Sequence, residues 1–433
     1  MEITVWNACS EAERRQLLAR PALEAQPQLR VEVARYLEQV RSDGDATLRA
    51  LTRRFDAVEL DQLRVAEADF ARAEVTLEEP LKHAMRQAHA RLHAFHAAGA
   101  PQPYALDTAP GVRCERLPVA LECVGLYVPA GTAPLPSTAL MLGVPASLAG
   151  CARVVLCSPP NRTGEVHATV LYAAQLCGIT EVYRLGGVQA IGAMAYGTQS
   201  VPKCDKLFGP GNAYVTMAKQ LVAEHPHGAA IDMAAGPSEV LVIADALADA
   251  EIVAADLLSQ AEHGADSQVV LISDCAALLE QVLRALNHQC AALPRHQMAR
   301  AALGQSRFIL VDQLAEAVTI SNRYAPEHLL LNVAQPRELL AQVRHAGSVF
   351  LGRNTPESVG DYNSGTNHVL PTYGQARANS GVSVLSFVKF MTVQELSPAG
   401  LAEIGPETML LARAEGLEAH ARAVEIRLQR AAR

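Results

Sequence analysis

Residue types suited to metal binding or proton transfer gather in a few short segments of this chain. The segment from Ile231 to Gly264, IDMAAGPSEVLVIADALADAEIVAADLLSQAEHG, sets Ser238 and Glu239 as an exposed polar pair on a turn rich in Gly and Pro. A short apolar strand, VLVIA, follows, and a helix from about Asp249 ends with Gln260 and His263 one turn apart. Residues at i and i+3 share a helix face, so an amide oxygen and an imidazole nitrogen can meet one ion there. Taken by itself, this spacing is more simply a His that complements the negative end of a helix before Gly264. A second segment, GSVFLGRNTPESVGDYNSGTNHVLP, carries Asp361 and His368 on a glycine-rich stretch that offers neither a place in a core. Upstream, Arg323 to His328 reads as the opening of a helix that continues LLLNV, with Pro326 suited to the first helical position. That start puts Glu327 and His328 in the first turn, where the helix dipole favours an ionised Glu and opposes a protonated His. Two solvated residues at a surface helix start would look the same. Near the C-terminus, ARAEGLEAHARAVEIR holds Glu415 and His420.

Phosphate binding needs backbone N–H groups at a helix start. Gly209-Pro210-Gly211-Asn212-Ala213-Tyr214 opens a helix after the apolar end of DKLF, and Leu185-Gly186-Gly187-Val188-Gln189 is a second glycine turn before a helix. The first has Tyr where a dinucleotide fingerprint has its third Gly. No acidic residue follows at the usual distance to hold a ribose. Both serve equally as plain strand-to-helix turns.

The elements that must position these residues alternate. ECVGLYVPAG, ARVVLCSPP, EVYRLGG, EVLVIAD, SQVVLIS and RFILVD are strand candidates, with helix-length segments such as GEVHATVLYAAQLCG and NAYVTMAKQLVAEH between most of them. Such alternation predicts an α/β protein built on largely parallel sheets. Residues 31–100 are helical in pattern. His83, His89, His93 and His96 crowd one helix there, on what reads as a solvated face without accompanying carboxylates. The last fifty residues read as short amphipathic helices, broken by Pro398, Gly405, Pro406 and Gly416 and too few to own a core.

At 433 residues, 50% hydrophobic and 19% charged, the chain has the composition of a soluble globular protein of two or three domains. A net charge of −8 argues against nucleic acid as the main partner. The nine cysteines include no C-x-x-C pair, and Cys114, Cys123, Cys151, Cys157, Cys177 and Cys204 sit mostly in apolar surroundings. Free thiols in a reducing compartment are therefore expected. The start MEITVWNACSEAERR has no basic stretch leading into an apolar run, and no apolar run approaches a membrane span, so a cytoplasmic location is expected.

The segment 231–264, the GTAPLPSTALMLGVPASLAGC stretch, RYAPEH, the Asp361 segment and the tail occur in the order found in one family, and over roughly residues 30–430 the chain resembles histidinol dehydrogenase. One departure is Pro136, where that pattern has an aromatic residue. The resemblance implies two incomplete Rossmann-like α/β domains. These would comprise an N-terminal segment at 1–30, a larger discontinuous domain from 31–129 plus 238–381, a second domain at 130–237, and a helical tail at 382–433 that reaches the partner subunit of a homodimer. It further implies oxidation of L-histidinol through the aldehyde to L-histidine with NAD, at a site holding one zinc ion per subunit. Gln260, His263, Asp361 and His420 are the implied zinc ligands, a set of N and O donors without thiolate that leaves the ion free to take donors from a ligand. Glu327 and His328 are the implied catalytic pair, with His328 taking the alcohol proton and Glu327 activating water for the aldehyde step. Ser238 and Glu415 join Gln260, His263, His328, Asp361 and His420 as implied substrate contacts, with His368 as polar support. Tyr127, Gln189 and Asn212 are the implied cofactor contacts. A zinc hydrolase could use the same donors and an adjacent Glu. A relative that binds without catalysis would not need Glu327 and His328.

Overall fold

The computed structural model describes residues 2–20, 27–130, 134–233 and 236–431. Residues 21–26 of the N-terminal segment, 131–133 of the GTAPLPST motif and 234–235 of the turn before Ser238 lie outside the described residues. β1 (Ile3–Val5) is followed by a helical stretch over residues 27–98, then by β2 (Tyr104–Ala109) and β3 (Val112–Ala120). Next come β4 (Cys123–Tyr127), β5 (Arg153–Ser158), β6 (Glu181–Arg184), β7 (Lys206–Phe208) and β8 (Ala230–Ile231), with a helix after each of the first four. A second series comprises β9 (Glu239–Ala244), β10 (Gln268–Ser273), β11 (Arg307–Leu310), β12 (His328–Asn332) and β13 (Ser348–Leu351). Finally β14 (Val388–Leu396) leads into helices Pro398–Ala414 and Glu418–Ala431.

All six strand candidates are strands, and the α/β class holds. The larger sheet has the order β1-β11-β10-β9-β12-β13, entirely parallel. Every residue of β9 and β10 is buried, as the continuous apolar runs require of parallel strands covered on both faces. Alternate side chains feed two cores: Val240, Val242 and Leu271 meet Leu257 and Leu279 on one face, while Leu241, Ile243 and Ile272 meet Val318 and Tyr324 on the other. The smaller sheet is also parallel, in the order β6-β5-β4-β7-β8. β2, β3 and β14 form a separate antiparallel sheet.

Three features differ from expectation. The helices over 27–98 pack on the smaller sheet's unit: Leu37, Val40 and Leu48 join Ile191 and Met194 in one core, and Met85 and Leu92 join Leu140 and Val170 in another. β4 is that sheet's central strand, so residue 130 falls after its first strand. His96 on helix Glu79–Ala98 is buried, whereas His83 and His93 do face solvent. The third difference concerns RYAPEHLLLNV, which does not open a helix. The helix Leu314–Tyr324 ends there, Ala325 takes a left-handed conformation at φ 55°, and His328 begins β12. A proline suits the start of a helix and also its end; Pro326 marks an end, because it has no N–H to continue the preceding helix. The unbroken Leu-Leu-Leu run then suits a short strand buried on both faces.

The C-terminal region is also more regular than its Pro and Gly content suggests. Ser397 caps the helix that Pro398 opens, Gly405 and Pro406 lie inside that helix, and Gly416 turns the chain at φ 77° between the two helices. The helical pair joins β2, β3 and β14 in an arm that leaves Leu106, Phe390, Met391, Leu410, Leu411 and Ile426 exposed.

Candidate functional site

β8 ends at the carboxyl edge of the smaller sheet with Ile231, and β9 begins at the amino edge of the larger sheet with Glu239. The acid–base candidates lie on that amino edge. His328, the first residue of β12, pairs in register with Val240 of β9. Its Nδ1 lies 3.1 Å from the Glu239 carbonyl oxygen, which can only accept, so Nδ1 carries a hydrogen and Nε2 faces the site. The Glu239 N–H donates to Glu327 Oε2 at 2.9 Å. Gly347 closes this edge: a Cβ there would stand 2.6 Å from the Glu327 carbonyl oxygen, and the Gly347 N–H donates to Pro326.

Three carboxylates surround the His328 ring. Glu357 Oε1 is 3.6 Å and Glu327 Oε2 3.8 Å from Nδ1, and Asp361 Oδ1 is 3.7 Å from Nε2. Burial would strip His328 of its proton, but Glu357, Glu327 and Asp361 outweigh it and push the imidazole up to about 10. Burial raises Glu327 to about 7 against the pull of His328. Both directions reverse the expectation of an ionised Glu beside a neutral His, because that expectation rested on a helix dipole and neither residue is in a helix. Glu357, likewise raised by burial to about 8, had no signal in its sequence context: PES reads as an ordinary helix start.

His263 and Asp361 lie close enough for their charges to act on each other and on His328, and helix Ala250–Ala261, which carries Gln260, packs against helix Glu357–Tyr362, which carries Asp361. Gln260 lies in the last turn of helix Ala250–Ala261, and His263 follows just beyond its end, its N–H bonded to the Gln260 carbonyl. Asp361 sits on the short helix Glu357–Tyr362; burial would raise its carboxyl, but His328, His368 and His263 hold it below its ordinary value. The Gln260 side chain is fully buried, yet neither its amide oxygen nor its amide nitrogen has a hydrogen-bond partner. An unpaired buried amide is costly. One carried three residues before His263, on a helix packed against that of Asp361, fits the oxygen donor of a cation-binding set of N and O atoms. Among the described residues, no group of three or more His, Cys, Asp and Glu side chains is arranged to hold a metal ion, so His420 does not join His263 and Asp361 in such a group within one chain. His420 and Glu415 are instead exposed on the C-terminal arm.

His368 bridges the two units. Its Nδ1 lies 2.8 Å from the Asp361 carbonyl oxygen, and its Nε2 lies 3.2 Å from Thr138 Oγ1 on helix Pro136–Ala149. Asn367 donates to the Met141 carbonyl at 2.7 Å on that same helix. The Asp361 loop is thus fastened across the boundary between the sheets. Pro136, the departure from the family pattern, takes the first position of that helix, where a missing N–H costs nothing. Ser238 is half-buried, but Glu239 is 1% exposed, contrary to the expected exposed pair.

Tyr127, Gln189 and Asn212 all lie at the carboxyl edge of the smaller sheet. β4 and β7 are neighbours where the strand order reverses, the place at which open α/β sheets bind ligands. Tyr127 ends β4, is buried, and accepts the Gly187 N–H at 3.0 Å; burial pushes its phenol up to about 12. Gln189 is buried with its amide oxygen unpaired. Asn212 caps helix Ala213–Glu224, accepting the Val215 N–H at 3.1 Å, so its oxygen performs the cap role and the cap makes no use of its amide N–H groups. Gly209 takes φ 120° with the Tyr127 carbonyl where a Cβ would be, and only glycine fits there.

The family model described as histidinol dehydrogenase matches residues 18–428. A histidinol dehydrogenase of Xanthomonas oryzae pv. oryzae is 59% identical over 428 residues, covering 99% of each chain. One of Aliivibrio fischeri is 51% identical, covering 100% of this chain and 98% of its own. The crystal structure of histidinol dehydrogenase from Elizabethkingia anophelis superposes with a TM-score of 0.94 at 45% identity, over 97% of this chain and 96% of that one. The fold, the buried carboxylates around His328 and the full-length likeness have one common explanation: this oxidoreductase belongs to the histidinol dehydrogenase family.

Proposed function

We propose that this chain is a zinc- and NAD-dependent enzyme that oxidises L-histidinol through L-histidinal to L-histidine, the last steps of histidine biosynthesis, as a cytoplasmic homodimer. The observation that carries the metal-centred reading is the buried, unpaired Gln260 amide, on a helix that packs against the one carrying Asp361. Gln260, His263 and Asp361 would hold the zinc ion with His420 of a second chain, and Ser238 and Glu415 would complete the substrate contacts. Bound zinc supplies positive charge and open positions that orient the imidazole and amine of the substrate, and bound NAD supplies the hydride acceptor.

The chain's own residues move the protons. His328 Nε2, the nitrogen turned away from Glu239, exchanges a proton with the substrate hydroxyl in the alcohol step. Glu327, raised to about 7 by burial, is matched to deprotonating water near neutral pH in the aldehyde step. Tyr127, Gln189 and Asn212 would hold the cofactor at the carboxyl edge of the smaller sheet, within reach of the loop that Thr138 and His368 fasten. Keeping the aldehyde from competing chemistry between the two steps would require the site to exclude water and other nucleophiles.

The test is direct. Purified full-length protein with L-histidinol and NAD should form two reduced nicotinamides for each histidinol consumed. A chelator should abolish turnover, and added zinc should restore it. No reduced nicotinamide with zinc-loaded protein would overturn the reading.

A further inference from the structure

The two proposed catalytic side chains hang from a single residue. Glu239 offers its backbone N–H to Glu327 Oε2 at 2.9 Å and its carbonyl to His328 Nδ1 at 3.1 Å. Its carboxylate is held in turn by the guanidinium of Arg20, from Nε to Oε1 and from Nη2 to Oε2 at 2.8 Å, and also accepts the Tyr373 N–H at 2.9 Å. The Arg20 Nη2 also donates to the carbonyls of Tyr324 at 2.8 Å and Ala325 at 3.3 Å, and the guanidinium lies 4.0 Å from the Tyr324 ring centroid. Ala325 is the left-handed turn that delivers Glu327 and His328 to β12. Arg20 therefore joins the start of β9, which aims the two side chains, to the turn that delivers them. A planar fork of donors suits this task, whereas a lysine ammonium can satisfy only part of it.

We propose that Arg20 and Glu239 are positioning residues for the reaction: their ion pair sets the distance between β9 and the Ala325 turn, and with it the aim of Glu327 and His328. The proposal rests on the catalytic reading of that pair given above. Misplacement of a reacting group by about 1 Å costs about 100-fold in rate, so Arg20→Met should lower single-turnover rates with both L-histidinol and L-histidinal by about 10- to 100-fold. KM for histidinol should change less than about threefold, because His328 alone among the implied substrate contacts is re-aimed and the proposed metal ligands are untouched. Arg20→Lys should recover part of the rate, and Glu239→Gln, which keeps the backbone groups and an oxygen for the Tyr373 N–H, should fall between.

The deciding measurement is the aldehyde step in the double variant. If Arg20 acts through Glu327, Arg20→Met should cost much less in a Glu327→Gln background than in the parent protein. A strut that merely holds the fold would give full, multiplicative losses, and that outcome overturns the proposal. So does a lowered thermal midpoint in Arg20→Lys with the rate per zinc-loaded site unchanged, a comparison that stands even where Arg20→Met fails to fold. Should Glu327→Gln and His328→Asn leave both steps intact, the catalytic reading itself fails and takes this one with it.

Discussion

Asp56 shows how one buried group can set a pH response away from the reacting centre. One of its carboxylate oxygens is buried without a partner, and burial lifts the group from 3.8 to about 6. Its charge also reaches the Tyr127 phenol. An acid whose folded pKa is raised opposes folding once ionised. The penalty is absent below the unfolded value of 3.8, grows as pH rises through about 6, and is complete above it. Asp56→Asn removes the charge and keeps the shape. It should stabilise the protein by at most about 3 kcal/mol near pH 8, less what solvent screening of this partly exposed group removes, and by nothing near pH 4. Thermal unfolding of both proteins across that range checks this. A gain that did not vary with pH would mean that ionisation of Asp56 is not the cause.

Among the elements, the GPGN turn depends on a buried ion pair. Lys219 and Asp232 are almost wholly shielded from solvent. Lys219 donates to the Gly209 carbonyl at 2.8 Å, and Asp232 accepts the Gly209 N–H at 2.9 Å and the Met233 N–H at 2.6 Å. Lys219→Met should cost about 3–5 kcal/mol, because it leaves a buried carboxylate uncompensated. It should also raise KM for NAD more than KM for histidinol, since the turn lies beside Tyr127 and Asn212. Equal changes in the two constants would separate the turn from cofactor binding. The glycine turn itself was legible as a strand-to-helix connection, but its clamp was not: Lys219 reads as one more residue of an amphipathic helix. The six strands were legible because unbroken apolar runs stood between turn residues. β12 was not, because a five-residue run buried on both faces has no period to read, and Pro326 suits a helix start as well as a stop. Glu239 looked exposed for a similar reason. Its partner Arg20 is 219 positions away, and a local reading cannot see a charge that distant.

The whole molecule leaves one question that only two chains can answer. Within one chain, His263 and Asp361 are near enough for their charges to act on each other, and the helix of Gln260 packs against that of Asp361, whereas Glu415 and His420 sit exposed on an arm with an apolar surface. An arm that buries little besides Val112 and Ala421 has no core of its own and would gain stability by docking on a larger surface. The proposed homodimer gives it that surface: each arm would carry His420 to the Gln260, His263 and Asp361 of the other chain, and two-fold symmetry would make both sites equivalent. Mixing tests this arrangement. His263→Ala and His420→Ala proteins should each be nearly inactive alone. When the two are refolded together in equal amounts, half of the dimers are mixed. In each mixed dimer one site carries both substitutions and the other carries neither, so about a quarter of all sites should regain parental activity. The recovered activity should rise and fall with the fraction of mixed dimer as the ratio of the two proteins is varied. If one chain supplied both ligands, every site in every mixture would retain one substitution, and no activity would return at any ratio.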